Sequence, residues 1–149
     1  MGQLWEYILV FLLAAVPWIE IAAVIPLGII RGLQPVLVVI LGFTGNLLTT
    51  VMVIFLFESI KNYLFKKGKR EGNGKRQARA KKIWNRYGLP GLTLLGPVLI
   101  GMHIAAFIGM TLGASKGWTL LWTVISLFLW SIIFGVAAYY GVEAFKVFL

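Results

Sequence analysis

The sequence has no cysteine and no aspartate, only one histidine, and few charged residues. Of its 149 residues, 13% are charged and 60% are hydrophobic, whereas a soluble domain has roughly 25% charged and 45–50% apolar residues. The chain therefore lacks the polar surface of a soluble enzyme, a disordered tail or a collagenous fibre. The absence of cysteine excludes disulfides and thiolate metal sites. We expect no metal, no cofactor and no enzymatic activity, because no metal cluster, carboxylate pair, phosphate-binding loop or catalytic triad can be assembled.

Positive charge is concentrated in one segment. Eleven of the 14 basic residues lie within residues 58–86, together with two of the five glutamates, so this segment carries the whole net charge of +9. Loops rich in lysine and arginine remain on the cytoplasmic side of a membrane. We therefore predict that 58–86 is a basic cytoplasmic loop that contacts anionic membrane lipids. Nucleic acid is not an expected partner, because no folded base-reading module accompanies the charge.

Apolar residues are grouped into long stretches. A straight membrane-spanning helix needs about 20 consecutive apolar residues. Two of the stretches have no internal proline and meet this requirement without interruption, and the other two are each interrupted by two prolines. The four stretches, in chain order, cover about 4–30, 35–57, 87–115 and 118–142.

Four prolines interrupt the first and third stretches: Pro17 and Pro26 in the first, Pro90 and Pro97 in the third. Proline removes an amide donor and clashes with the preceding helical turn. At membrane depth, the freed backbone must be buried in protein or line a watery cavity. Two interpretations follow: each broken stretch is either a re-entrant hairpin of two half-helices, which we favour, or a kinked full span.

The order of broken and straight stretches repeats. Residues 1–57 contain a broken stretch and a straight one, and residues 87–149 contain the same pair. If each broken stretch is a hairpin, each repeat crosses the membrane once and the second repeat is inverted. We predict an all-α integral membrane protein with one membrane domain over 1–149, multi-pass in the inner (plasma) membrane. Inverted repeats with broken helices indicate a transport site at the repeat interface.

Two charged residues in or beside the first broken stretch are candidate site residues. Glu20 is the one acid well inside an apolar stretch, and a charge at the membrane centre is costly without a partner or a function. We interpret it as a proton or cation site, or alternatively as a cap for free amides at a half-helix start. Arg31 ends the stretch; its guanidinium suits phosphate, and it can equally extend to the membrane interface.

The remaining candidates are a histidine and an amide. His103 is the one side chain of the second broken stretch that titrates near neutral pH, so it is a candidate for proton movement or substrate contact. Asn46 needs hydrogen-bonding partners at mid-membrane and is a candidate cavity residue. Small and polar residues at helical spacing favour helix packing in both straight spans; they are Gly42, Gly45, Asn46 and Thr49 in one, and Thr119, Thr123, Ser126 and Trp130 in the other.

Three motifs carry a resemblance to a known family. The segments IEIAAVIPLGIIRG, ILGFTGN and GLTLLGPVLIGMHIAAFIGMTLGASKG resemble the small multidrug export protein family, a relative of the DedA/VTT membrane proteins, over about residues 15–141. The resemblance implies two facing re-entrant hairpins and transport rather than catalysis. By position, Glu20 resembles the family's first-hairpin acid, Pro26 its turn, Asn46 the Gly-Asn of the next span and Pro97 the second-hairpin turn. The arginines of the DedA second hairpin are missing here, and His103 is the polar side chain in their place.

These observations predict a transporter that couples the movement of a hydrophobic or amphipathic substrate to protons. A homodimer is expected, because two spans and two hairpins enclose little volume. One alternative is a flippase or scramblase for lipids or lipid carriers, in which Arg31 and the basic loop contact head groups. A second alternative is a non-transporting membrane assembly or scaffold protein.

Overall fold

The computed structural model describes residues 2–17, 19–66 and 75–147, and the described residues are helical with no strand. Each helix corresponds to an apolar stretch or to a flank of the basic segment. The helices, in chain order, are α1 Gly2–Ala15, α2 Ile21–Ile30, α3 Pro35–Phe55, α4 Phe57–Lys66, α5 Lys75–Leu99, α6 Met102–Thr111 and α7 Lys116–Val147.

Two helices in the described part of the chain are long and apolar enough to cross a membrane. They are Pro35–Phe55 and Lys116–Ala144. The 21 residues of α3 extend over about 32 Å, close to the ~30 Å hydrocarbon thickness of a bilayer. In contrast, α1, α2 and α6 are apolar but have only 14, 10 and 10 residues. The two straight spans of the sequence prediction thus correspond to α3 and α7, and each proline-containing stretch is divided into separate helices.

The chain folds as two compact units. Unit 1 comprises Met1–Leu48 and Leu127–Leu149, and unit 2 comprises Thr49–Ser126. Both boundaries fall inside the long helices α3 and α7, so each unit contains a part of each long helix. Unit 1 also contains α1 and α2, and unit 2 also contains α4, α5 and α6. The predicted repeats, 1–57 and 87–149, place their boundaries elsewhere, at the ends of the apolar stretches.

In unit 1, α1, α2 and α3 pack closely at glycine positions. A Cβ on Gly28 would lie 2.9 Å from Val38 and 3.3 Å from Val10, and a Cβ on Gly42 would lie 2.8 Å from Ile25. Residue numbers therefore rise along α2 as they fall along α3, so these two helices are antiparallel. Small residues at such positions let helix backbones approach one another.

The first proline-containing stretch breaks between α1 and α2, at residues 16–20, and Pro17 lies in this break. Pro26 lies inside α2, which corrects the prediction of a hairpin break there. The helix remains intact across Pro26 because Ile25 packs on Gly42 and Gly28 packs on Val38, which hold α2 against α3 on both sides of the proline.

The second proline-containing stretch bends at glycines and not at its prolines. Gly88 has φ 63° and ψ −157°, which kinks α5, and Gly101 has φ 96° and precedes α6. Such backbone is readily adopted only by glycine. Pro90 and Pro97, predicted as hairpin breaks, both lie inside α5. Pro90 follows the kink by two residues, where the missing amide falls in the first turn of the next helical segment.

The backbone group freed by Pro97 has a substitute partner. In a regular helix the amide of residue 97 would donate to the carbonyl of Thr93, and proline has no amide hydrogen. The Ser126 hydroxyl of α7 donates to this carbonyl at 2.7 Å, in a buried position. Neighbouring hydroxyls can satisfy proline-freed carbonyls in membrane helices in this way, which explains why α5 continues past Pro97.

The turns before α3 and α7 have the same design. Gly32 (φ 84°) follows α2, and Gly113 (φ 107°) follows α6. In each turn, the amide after the glycine donates to a carbonyl five residues earlier, from Leu33 to Gly28 at 3.2 Å and from Ala114 to Gly109 at 3.0 Å. This is the Schellman helix end, which satisfies the last carbonyls of a helix.

The next residue then caps the long helix. Gln34 Oε1 accepts from the amide of Leu37 at 3.0 Å, and Ser115 Oγ accepts from the amide of Trp118 at 3.4 Å. Residues 28–34 and 109–115 therefore fold alike, with a constant offset of 81 in the numbering.

The described part of the basic segment 58–86 is helical and not an extended loop. It consists of α4 after its first residue and the first part of α5, and residues 67–74, the centre of the predicted loop, lie outside the described residues. Lys61 lies 5.6 Å from the ring centroid of Phe57, and Arg86 lies 5.3 Å from that of Tyr87.

Candidate functional site

Glu20 lies at the tip of the α1–α2 pair. It is the N-cap residue of α2, with extended backbone (φ −84°, ψ 167°), and its side chain makes no capping hydrogen bond. Glu20 therefore occupies the cap position that the capping interpretation predicts, but its side chain does not bond to the free amides of α2. The residue is half-buried, and its Oε2 atom is shielded from solvent. Because the positive end of the α2 dipole is at this terminus, the position favours negative charge.

The packing register brings Glu20 to the level of Asn46. Ile25 faces Gly42 and Gly28 faces Val38. Because the two helices are antiparallel, Ile21, four residues before Ile25, lies level with Asn46, four residues after Gly42. Glu20 directly precedes Ile21.

The end of α1 reaches the same level, because a Cβ on Gly45 would meet the Phe11 carbonyl and the Ala14 side chain. The α1–α2 tip is thus level with the middle of the 21-residue helix α3.

Asn46 is fully buried in unit 1. A buried primary amide has two donor hydrogens and an acceptor oxygen, and all of them need partners in an apolar environment. The structure therefore places two of the predicted site residues, an acid and an amide, at one level of unit 1.

Arg31 lies at the other end of α2 from Glu20. Its Nη2 atom is 3.5 Å from Oε1 of Glu6, and the Arg31 side chain is 68% exposed. Beside this ion pair, the Gln34 amide donates to the Tyr7 hydroxyl at 3.0 Å. These contacts join the start of α1 to the turn between α2 and α3, and they separate Arg31 from the Glu20 tip by the length of α2.

His103 lies in unit 2, on the first turn of α6. It is 4% exposed, and its Nε2 atom is 2.8 Å from Oγ1 of Thr49 in α3. A hydroxyl can donate to a neutral imidazole nitrogen and can accept from a protonated one. Thr49 can therefore serve both protonation states of His103. Thr49 lies three residues after Asn46 in the sequence. This helical spacing predicts helix packing and does not predict the contact of Thr49 with His103.

The sequence pattern predicts that the hydroxyls of α7 serve helix packing. Thr119, Thr123 and Ser126 are all fully buried in unit 2. Their spacing of four and three residues places them on one face of the helix. The Thr119 hydroxyl donates to the Ser115 carbonyl at 2.9 Å, and Ser126 donates to the Thr93 carbonyl. The spacing alone does not distinguish the Thr119 and Ser126 hydroxyls, which already donate hydrogen bonds, from the Thr123 hydroxyl, which has no hydrogen-bond partner.

These arrangements can bind protons and form hydrogen bonds. No group of three His, Cys, Asp or Glu side chains that could hold a metal ion occurs in 2–17, 19–66 or 75–147. Unit 1 contributes a carboxylate near a buried amide, and unit 2 contributes an imidazole–hydroxyl pair.

Comparisons with known proteins identify one family. A family model described as "Putative small multi-drug export protein" matches residues 20–133, which contain Glu20, Arg31, Asn46 and His103. The match begins at the acid of the α1–α2 tip and ends within α7. Searches of the curated proteins and of the solved structures find no match.

Proposed function

Because the chain belongs to the small multi-drug export protein family, we propose that it exports hydrophobic or amphipathic compounds across the inner membrane in exchange for protons. The family match, together with two helices long and apolar enough to cross a membrane, supports a role as a membrane export protein. Proton coupling, substrate class and the choice of membrane are parts of our proposal.

The position of Glu20 is the observation that carries this proposal. The acid lies at a helix terminus, half-buried, level with the middle of the apolar helix α3. Carboxyl groups at such depth are typical of proton and ion pathways, because a permanently charged group is costly there. A carboxyl that binds a proton and a substrate in alternation couples the two fluxes.

We further propose that the α1–α2 pair is a re-entrant hairpin. At 1.5 Å per residue, the 14 residues of α1 cover about 21 Å and the 10 residues of α2 about 15 Å, which is less than the ~30 Å needed to span. Such a hairpin presents the amino terminus of a half-helix at mid-membrane, where transporters bind the polar groups of their substrates.

The proposal is tested in liposomes that contain the purified full-length protein. An imposed pH gradient drives uptake of ethidium, a fluorescent amphipathic cation. We expect Glu20→Gln to lower the pH-driven rate at least tenfold, because the amide keeps the size of the side chain but binds no proton. Helicity and thermal unfolding in detergent should match those of the wild type.

The matched control is Glu58→Gln, which removes the same charge from an exposed position on α4. It should retain the wild-type rate. Equal rates for Glu20→Gln and the wild type would remove Glu20 from the transport mechanism.

Lipid translocation is the second candidate function, and one observation favours it. The Arg31 guanidinium is exposed at the end of α2, and its salt bridge to Glu6 is a weak surface pair. It is therefore available to a lipid phosphate. A lipid translocase would move a fluorescent phospholipid between leaflets without a pH gradient, and Arg31→Gln would slow that movement. A proton-coupled exporter should show no such movement.

A further inference from the structure

The hydroxyls of unit 2 differ in whether they already have a partner. Three threonines of unit 2 donate to the backbone one helical turn earlier, namely Thr93, Thr111 and Thr119, and Thr44 of unit 1 does the same. This is the common arrangement for threonine inside a helix. Thr123 departs from it, because its Oγ1 atom is buried and has no hydrogen-bond partner, and the residue is 0% exposed.

A second polar atom next to Thr123 has the same property. The Nε1 atom of Trp122 is buried and has no hydrogen-bond partner. An indole N–H only donates, whereas a hydroxyl can donate or accept. A buried polar group without a partner costs about 1–3 kcal/mol, so a hydrogen-bonding group that reaches either atom would stabilise the protein.

Thr123 and His103 lie at similar distances from the turn between α6 and α7. Residues 112–115 form this short turn, and helices joined by a short connection are typically antiparallel neighbours. His103 lies nine residues before the turn and Thr123 eight residues after it.

We propose that Thr123, Trp122 and the Thr49–His103 pair form a binding site within unit 2 for the oxygen atom of an uncharged amphipathic compound, such as a phenol or an alcohol. The Trp122 N–H donates to that oxygen, and Thr123 accepts the hydroxyl hydrogen or donates a second bond. Leu120 packs against the apolar cluster of Ala106 and Met110 in the same unit, and apolar side chains of this kind suit the hydrocarbon part of the compound. The inference rests on the proposed export function, for which it names a substrate class.

Binding of two matched probes tests this site without any transport. The probes are 1-naphthol and naphthalene, which differ by a hydroxyl group. Their binding to the full-length protein in phosphatidylcholine nanodiscs is measured by equilibrium dialysis, with empty nanodiscs to subtract lipid partitioning. We expect the wild type to bind 1-naphthol at least tenfold more tightly than naphthalene, because the site's buried donors are left unpaired by the apolar probe.

Two substitutions on the same face of α7 separate binding from structure. Thr123→Val keeps the shape and removes the free hydroxyl, and it should lower the preference for 1-naphthol by about fivefold or more. Thr119→Val removes a buried hydroxyl that is already bonded to its own helix, so the preference should remain at the wild-type value. Naphthalene should bind both variants as it binds the wild type.

Two results would overturn the site. One is equal binding of the two probes to the wild type, which would mean that the free hydroxyl receives water only. The other is an equal effect of both substitutions on the preference, with thermal unfolding in detergent confirming that both variants are folded. Since no gradient is applied, the binding site can fail while pH-driven export and its Glu20 dependence persist, and the reverse can also be observed.

Discussion

The α1–α2 pair of unit 1 and the α5–α6 pair of unit 2 end in the same way but carry different polar residues. Each pair is followed by a positive-φ glycine and a capped long helix. With the offset of 81, Glu20 corresponds to Gly101, and each is the N-cap residue of its helix. An acid occupies this position in one unit and a glycine in the other. The turn geometry is repeated, whereas the chemistry is not, so the two units are suited to different roles.

The two pairs also differ in how tightly they are packed. In unit 1, a Cβ on Gly45 would meet a backbone atom, the Phe11 carbonyl oxygen. In unit 2, a Cβ on Gly109 would lie 2.6 Å from the end of the Leu89 side chain, which can rotate away. Backbone contacts cannot relax in this manner, so unit 1 tolerates less change at its helix crossing.

The largest expected loss of stability comes from adding a methyl group at the tightly packed helix crossing of unit 1. Gly45→Ala should destabilise the protein by about 2 kcal/mol, because overpacking against a fixed group costs roughly 1–3 kcal/mol. Gly109→Ala should change stability by less than about 1 kcal/mol, since the higher helix propensity of alanine offsets a small rearrangement. Reversible unfolding in mixed detergent micelles, followed by helicity, measures both. Equal losses would show that the two crossings are equally rigid.

A smaller effect is expected at the Thr93 carbonyl of unit 2, which Pro97 leaves without an amide donor. Ser126→Ala leaves the Thr93 carbonyl without its donor and should cost about 1.5 kcal/mol, within the range of about 1–3 kcal/mol for an unsatisfied buried group. Pro97→Ala restores a backbone amide for that carbonyl, so Ser126→Ala in this background should cost less than about 0.5 kcal/mol. A double-mutant unfolding cycle measures the difference. The same loss in both backgrounds would mean that Ser126 acts by packing and not through this hydrogen bond.

The smallest effect concerns the turn design that the units share. Gly32→Ala and Gly113→Ala should each cost about 1 kcal/mol, because a Cβ is unfavourable at positive φ. Neither Cβ would meet an atom within 4 Å, so the loss reports backbone strain alone. Gly117→Ala, in open space in the first turn of α7, is the control and should be neutral. Costs that differ by more than about 1 kcal/mol between the first two variants would contradict a common turn design.

Several parts of the fold could be predicted from composition and pattern. The long proline-free stretches correspond to α3 and α7, and each proline-containing stretch is divided between two helices. These predictions succeed because chain length and hydrophobicity are local properties. The family was also predicted from short motifs, and the family match confirms it over residues 20–133.

The positions of the breaks could not be predicted in the same way. The resemblance assigns Pro26 and Pro97 to the two hairpin turns, and both lie inside helices. Contacts distant in sequence decide their effect: packing on Gly42 and Val38 holds α2 straight, and Ser126 satisfies the carbonyl that Pro97 frees. Proline removes a hydrogen bond in either case, but a neighbour can compensate.

The amino acid order was sufficient to show a membrane-embedded helical chain with its charge in one segment, because burial in lipid depends on composition averaged over about 20 residues. Which polar groups have partners depends on the three-dimensional packing. Thr119 and Thr123 are the same residue type one turn apart, yet one hydroxyl is bonded to its own helix and the other is free. Side-chain rotation and the surface of the neighbouring helices set this difference, and neither is encoded in local spacing.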